Sequence, residues 1–79
     1  MNISIIGTGY VGLVSGVCLA YKEHRVICVD KNQSIVDSIN TGIAPIYETH
    51  LNEMLADAIN KDNLTATTDL VHAVMNSEI

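Results

Sequence analysis

Positive charge is scarce in this chain. Its 79 residues carry four Lys and Arg against nine Asp and Glu, a formal net charge of -5. Lys22, Arg25, Lys31 and Lys61 are scattered rather than gathered into a stripe. Nucleic acid and anionic membrane surfaces need such a stripe, so neither is expected as a partner. Any phosphate must then be held mostly by backbone N–H groups. Cysteine is nearly as scarce: Cys18 and Cys28 lie inside apolar runs, with no CxxC spacing and no nearby His pair. That leaves a zinc site or a disulfide framework unsupported; both are expected to be small core residues in a reducing, cytoplasmic compartment. There is one proline, and there are no repeats, low-complexity tracts or linkers. The length allows at most one small domain or a piece of one, and 48% hydrophobic content argues for a packed core rather than disorder.

Charge of either sign is absent from Met1 to Tyr21, a stretch long enough to raise an export or membrane reading. A signal peptide has a positive segment ahead of its apolar run, and Met1-Asn2 offers only the terminal amine. Gly12 and Gly16 have the spacing of a membrane packing motif, but Gly7 and Gly9 weaken the same helix. No membrane association is expected.

What is present alternates. Ile3–Ile6 reads as a buried strand of a parallel sheet, Gly7 to Gly12 as a turn, and Val11–Tyr21 as a helix apolar nearly all round, hence covered on more than one side. Val26–Val29 is a second strand, ended by Asp30. Asn32 or Ser34 caps a helix to about Asn40, and Gly42 stops it. An irregular connector follows, from Ile43 through Pro45 to Tyr47, where Tyr47 reads as a packed anchor; Glu48 and Glu53 flank the next helix start. Leu51, Met54, Leu55, Ala58 and Ile59 mark an amphipathic helix, Leu64–Thr67 a weak third strand, and Asp69 the cap of a short helix. Strand and helix alternating at this spacing is the signature of βαβ units, so the fold class is α/β, a Rossmann-type doubly wound parallel sheet of about three strands with flanking helices.

Gly7-Thr8-Gly9-Tyr10-Val11-Gly12 is G-x-G-x-x-G, with a strand before it, a helix opening within it, and a second strand ending in an acid eighteen residues after Gly12. Each part has a physical role. Gly7 permits the tight turn, Gly9 lets a pyrophosphate approach the backbone, and Gly12 lets the helix pack close to the sheet. The helix N-terminus presents unpaired N–H groups from around Tyr10 and Val11 with partial positive charge, an anion site in an acidic chain. Asp30 is placed to accept hydrogen bonds from both ribose hydroxyls of an adenosine. Its charge repels a 2′-phosphate, so NAD is favoured over NADP, with Lys31 working against that discrimination. The expected cofactor-binding set is therefore Gly7, Gly9, Tyr10, Val11, Gly12 and Asp30. His24, His50 and His72 are far apart on polar positions and read as surface residues. No Ser/His/Asp or Cys/His arrangement assembles, so no catalytic or metal-ligating residue is expected.

The stretches "MNISIIGTGYVGLVSGVCLA", "VICVD", "GIAPIYE" and "TTD", in this order and spacing, closely resemble the N-terminus of the UDP-glucose/GDP-mannose dehydrogenase family across the whole chain. The resemblance implies an NAD-dependent oxidoreductase, homo-oligomeric when complete, that oxidises the C6 alcohol of a nucleotide sugar to a carboxylate in two hydride transfers. Three departures stand out. Ile35 occupies the position of a basic residue five after the acid. Glu48-Thr49-His50-Leu51 replaces E-P-G-L. Lys22-Glu23-His24 lacks the family's usual glycine before the second strand. Tyr47 leans towards a UDP-glucose-type enzyme. The family's catalytic cysteine, its lysine and its sugar-nucleotide domain correspond to nothing in residues 1–79, and neither Cys18 nor Cys28 matches that nucleophile. The expectation is a partial dinucleotide-binding domain over residues 1–79, inactive by itself, whose first strand pairs on one side only. A bare apolar edge invites association, so the alternative is a non-catalytic nucleotide-binding or interaction module completed by strand pairing with another chain.

Overall fold

The computed structural model describes residues 1–45 and 50–78. Three strands form one parallel sheet: β1 (Asn2–Ile6), β2 (Arg25–Val29) and β3 (Leu64–Thr67), in the order β1-β2-β3. The register runs from Asn2 opposite Arg25 to Ile6 opposite Val29, and from Val26 opposite Leu64 to Val29 opposite Thr67. Helix α1 (Tyr10–Tyr21) joins β1 to β2. Helices α2 (Gln33–Asn40) and α3 (Leu51–Asn60) lie between β2 and β3, and α4 (Leu70–Met75) follows β3. The sheet and flanking helices are the Rossmann-type arrangement the alternation predicts.

The period of two along each strand assigns the faces. Val26 and Cys28 of β2, with Leu64 and Ala66 of β3, join Leu13, Val17 and Ala20 of α1, Val36 and Ile39 of α2, and Leu51, Leu55 and Ala58 of α3 in one buried cluster. Helix α4 takes the other face: the Ser4 hydroxyl donates to the Ala73 carbonyl at 2.9 Å and also meets the Ser77 hydroxyl. Helix α1 comes unusually close to the sheet at Gly16, where an added Cβ would stand 3.2 Å from Cys28 Sγ and 3.5 Å from Val26 Cγ1. The fourth glycine of the apolar stretch is thus a packing residue, and it anchors the helix on β2.

Both sheet edges are partly covered by polar groups. The Asn40 side chain bridges the outer edge of β3, donating to the Ala66 carbonyl at 2.9 Å and accepting from the Ala66 N–H at 2.8 Å. On β1 the parallel ladder turns the peptide groups of Asn2, Ser4 and Ile6 away from β2. There the Glu78 N–H donates to the Asn2 carbonyl at 2.8 Å.

Two expectations about burial need correcting. Strand β1 is not wholly buried: Ile3 is, but Ile6 is 60% exposed, because β1 is an edge strand and its C-terminal end is uncovered among the described residues. Cys18 is not a core residue. Helix α1 turns Leu13, Gly16, Val17 and Ala20 inward, and Val11, Ser15 and Cys18 fall on the opposite, exposed face. Cys28 is fully buried as expected. Tyr47 and Glu48 lie outside the described residues. No helix among the described residues is long and apolar enough to cross a membrane.

Helices α1, α2 and α3 end alike. In each, the residue after the cap takes positive φ and two N–H groups turn back onto the last carbonyls: Glu23 to Ala20 and His24 to Leu19, Gly42 to Ile39 and Ile43 to Ser38, Asp62 to Ile59 and Asn63 to Ala58. This closure favours glycine. Only α2 has it; Glu23 and Asp62 adopt φ of 71° and 57°. A side chain in that conformation costs about 1 kcal/mol. Glu23→Gly is therefore expected to raise unfolding stability by about 1 kcal/mol in urea denaturation, with the slope unchanged.

Candidate functional site: a backbone cradle at the strand ends

The site begins where β1 stops. The Gly7 N–H makes one last ladder bond, to the Val29 carbonyl at 2.8 Å. The chain then turns through φ +92° at Gly7, a conformation that a side chain resists. Three residues later α1 starts. Gly12 stands so close to the turn that an added Cβ would lie 2.2 Å from the Gly7 carbonyl oxygen. The close approach that Gly12 permits is thus to the Gly7 turn first and the sheet second, with Ile5 Cγ2 at 3.4 Å.

Gly9 behaves differently. Its φ of -65° and ψ of -179° are open to any residue, and an added Cβ would meet nothing within 4 Å. Nothing in the described protein requires a glycine there. The space beside it faces the start of α1, where Gly9 is the N-cap and supplies no side-chain hydrogen bond. The first intrahelical bond at this end is Leu13 N–H to the Gly9 carbonyl at 2.9 Å, so the N–H groups of Tyr10, Val11 and Gly12 have no carbonyl four residues back within the helix. No acidic side chain occupies the first turn, and Val11 is 75% exposed. The arrangement is an uncapped helix end with partial positive charge beside an open space, suited to an anion.

Asp30 lies across from this turn, at the end of β2. It borders a cleft of about 380 Å³ with Ile6, Gly7, Val29, Lys31, Thr68 and Leu70. The cleft sits outside the carboxyl ends of the strands, where open α/β sheets bind their ligands. Asp30 Oδ2 accepts from the Thr8 hydroxyl at 2.5 Å and from the Thr8 N–H at 3.3 Å; Oδ1 accepts from the Asn32 N–H at 2.9 Å. These bonds hold its carboxyl below the usual aspartate range, the Thr8 hydroxyl contributing most and Lys31 least.

The structure thus brings Gly7, Gly9, Val11, Gly12, Asp30 and the Tyr10 backbone to one end of the sheet. Thr8 was missed. It is the single buried polar side chain among the described residues, and it ties the glycine turn to Asp30. The available signal was a hydroxyl residue between two glycines at the strand end. The histidines stay apart, His50 pairing with Glu53 at 3.6 Å at the start of α3. Cys28 is no nucleophile: burial pushes its thiol up to about 12.

The chain is similar to known proteins over its whole length. The family model described as UDP-glucose/GDP-mannose dehydrogenase family, NAD binding domain, matches residues 1–79. The UDP-glucose 6-dehydrogenase of Rhizobium meliloti (strain 1021) is 43% identical over 79 residues, all of this chain and 18% of the relative. The GDP-mannose 6-dehydrogenase of Azotobacter vinelandii is 42% identical over 79 residues, again 18% of its length. Among solved structures, a ternary complex of GDP-mannose dehydrogenase from Pseudomonas aeruginosa superposes with a TM-score of 0.96 at 43% identity, covering 98% of this chain and 18% of that one. A UDP-glucose dehydrogenase from Pyrobaculum islandicum gives 0.90 at 37% identity, covering 95% and 17%. The chain spans under a fifth of the length of these relatives.

Gly12→Ala is expected to destabilise the chain by about 3 kcal/mol, because the new methyl meets backbone that cannot swing aside. Thermal unfolding measured beside Gly9→Ala, which meets nothing, separates the two glycines.

Proposed function

This chain belongs to the UDP-glucose/GDP-mannose dehydrogenase family, and we propose that its residues 1–79 are the partial dinucleotide-binding domain through which a nucleotide-sugar dehydrogenase of the UDP-glucose 6-dehydrogenase type holds NAD. The observation that carries the reading is the open space at Gly9 in front of an uncapped helix end, with Asp30 beside it. The residues fit the cofactor. The N–H groups of Tyr10, Val11 and Gly12 face the pyrophosphate, Gly7 and Gly9 let it approach the backbone, and Asp30 accepts from the ribose. The apolar side chains of Ile6 and Leu70, exposed at the mouth of the cleft, give the adenosine a surface to cover.

Bound NAD supplies the hydride acceptor for oxidising the C6 alcohol of the sugar to a carboxylate, in two transfers. The residues described here bind and orient; the catalytic groups and the sugar-nucleotide pocket belong to the part of the relatives that this chain does not span. UDP-glucose is the proposed sugar nucleotide, in keeping with the names of most relatives, and GDP-mannose is the competing one. A cytoplasmic homo-oligomer is the proposed setting, with no nucleic acid and no membrane as partner. The net charge of -5, with no basic stripe, supports the absence of a nucleic-acid or anionic-membrane partner.

Gly9→Ala tests the cradle. The variant is expected to fold with stability within about 1 kcal/mol of the parent, as an N-cap change does. Its NAD affinity, measured by calorimetry, is expected to fall about tenfold or more, since the methyl takes space the pyrophosphate needs. Unchanged NAD affinity in the folded variant would show that the opening at Gly9 is not where the cofactor lies.

A further inference from the structure

Thr8 does more in this structure than occupy a place between two glycines, and what it does bears on which dinucleotide the site accepts. The inference rests on the reading of Asp30 as the ribose contact. Thr8 is 3% exposed, and its hydroxyl and N–H both donate to Asp30 Oδ2, at 2.5 and 3.3 Å. A buried hydroxyl needs a partner, and this one has an anion. The Asn32 N–H takes Oδ1 at 2.9 Å. An ionised carboxylate has about four acceptor positions. Oδ2 is filled by Thr8, and Oδ1 keeps room for one further donor. Where the sequence suggested that Asp30 accepts from both ribose hydroxyls, the structure leaves Oδ1 as the oxygen with room for a donor.

We propose that Thr8 is a specificity-determining positioning residue: it fixes the Asp30 carboxylate, charged, at the rim of the cleft, so that the site takes a dinucleotide with a free 2′-hydroxyl and rejects one with a 2′-phosphate. A 2′-phosphate approaching Oδ1 meets a charge that is held in place from the opposite side. Without the Thr8 hydroxyl the carboxylate keeps only two backbone donors, the Asn32 N–H on Oδ1 and the longer Thr8 N–H on Oδ2, and can turn towards solvent. With the carboxylate turned away, Lys31, which borders the same cleft, can pair with the phosphate.

The test uses the 79-residue chain with Thr8 replaced by Val, which keeps the shape and loses the hydroxyl, or by Ser, which keeps the hydroxyl. Affinities for NAD and NADP are measured by calorimetry, and the Asp30 carboxyl is titrated by NMR. Thr8→Val is expected to reduce the preference for NAD over NADP about tenfold, the scale of one hydrogen bond to a charged group, and to move the Asp30 midpoint up towards the ordinary aspartate value. Thr8→Ser is expected to keep the parent's preference and midpoint. A loss of packing alone would not produce that split. Parent-like discrimination in Thr8→Val overturns the proposal. Asp30→Asn separates that failure from a deeper one. If Asp30→Asn loses the preference while Thr8→Val keeps it, Thr8 has no such role and the ribose reading stands. If both keep it, or the parent chain binds neither dinucleotide, the ribose reading falls and this inference with it.

Discussion

The close approach of helix α1 to the Gly7 turn is the constraint on which the rest depends. Gly12 sits where no side chain fits, against the Gly7 carbonyl, and that contact fixes where the helix begins and where its first N–H groups point. The same helix is pressed onto β2 at Gly16. Between these two glycines its axis is set relative to the sheet, so its positive end opens at the carboxyl ends of the strands and nowhere else. Burial of Leu13, Val17 and Ala20 between the sheet and α3 then supplies the hydrophobic stabilisation, while the glycines set the geometry.

That geometry resolves the apparent conflict between an acidic chain and an anionic ligand. The positive potential at the site is not carried by side chains. It comes from peptide dipoles whose donors the helix itself leaves unpaired. Asp30 stands beside this potential rather than within it, at the end of a different strand, with Thr8 and Asn32 holding it there. An uncapped helix end and a carboxylate thus stand at the same end of the sheet without neutralising each other, and in the proposed reading one cofactor uses both.

Much of this was legible in the sequence. Alternation of strand and helix, the glycine spacing, the acid at the end of β2 and the cap at Asp69 all report local backbone requirements, and each appears in the structure where expected; of the two candidate caps for α2, Asn32 and Ser34, the structure uses Asn32. What the sequence hid depends on contacts between distant residues. Helix α1 is apolar on both faces, so its pattern has no period from which to read that Cys18 points outward and Gly16 inward. Edge position, which exposes Ile6, is set by strand order rather than by the composition of β1. Thr8 is polar and β-branched, which suits a turn, a strand end or a surface. Only the Asp30 carboxylate, 22 positions away, makes its burial favourable. Glu23 in a left-handed helix end is another case, since the chain has no glycine there to signal the turn.

The central claim is that the uncapped N–H groups of α1 receive the pyrophosphate while the end of β2 receives the ribose. Backbone amide NMR with NAD and, separately, with adenosine tests it directly. The account predicts that NAD shifts the amide resonances of Tyr10, Val11 and Gly12 together with those of Lys31 and Asn32, and that adenosine shifts only the second group. NAD binding that leaves the three helix amides unmoved would contradict it.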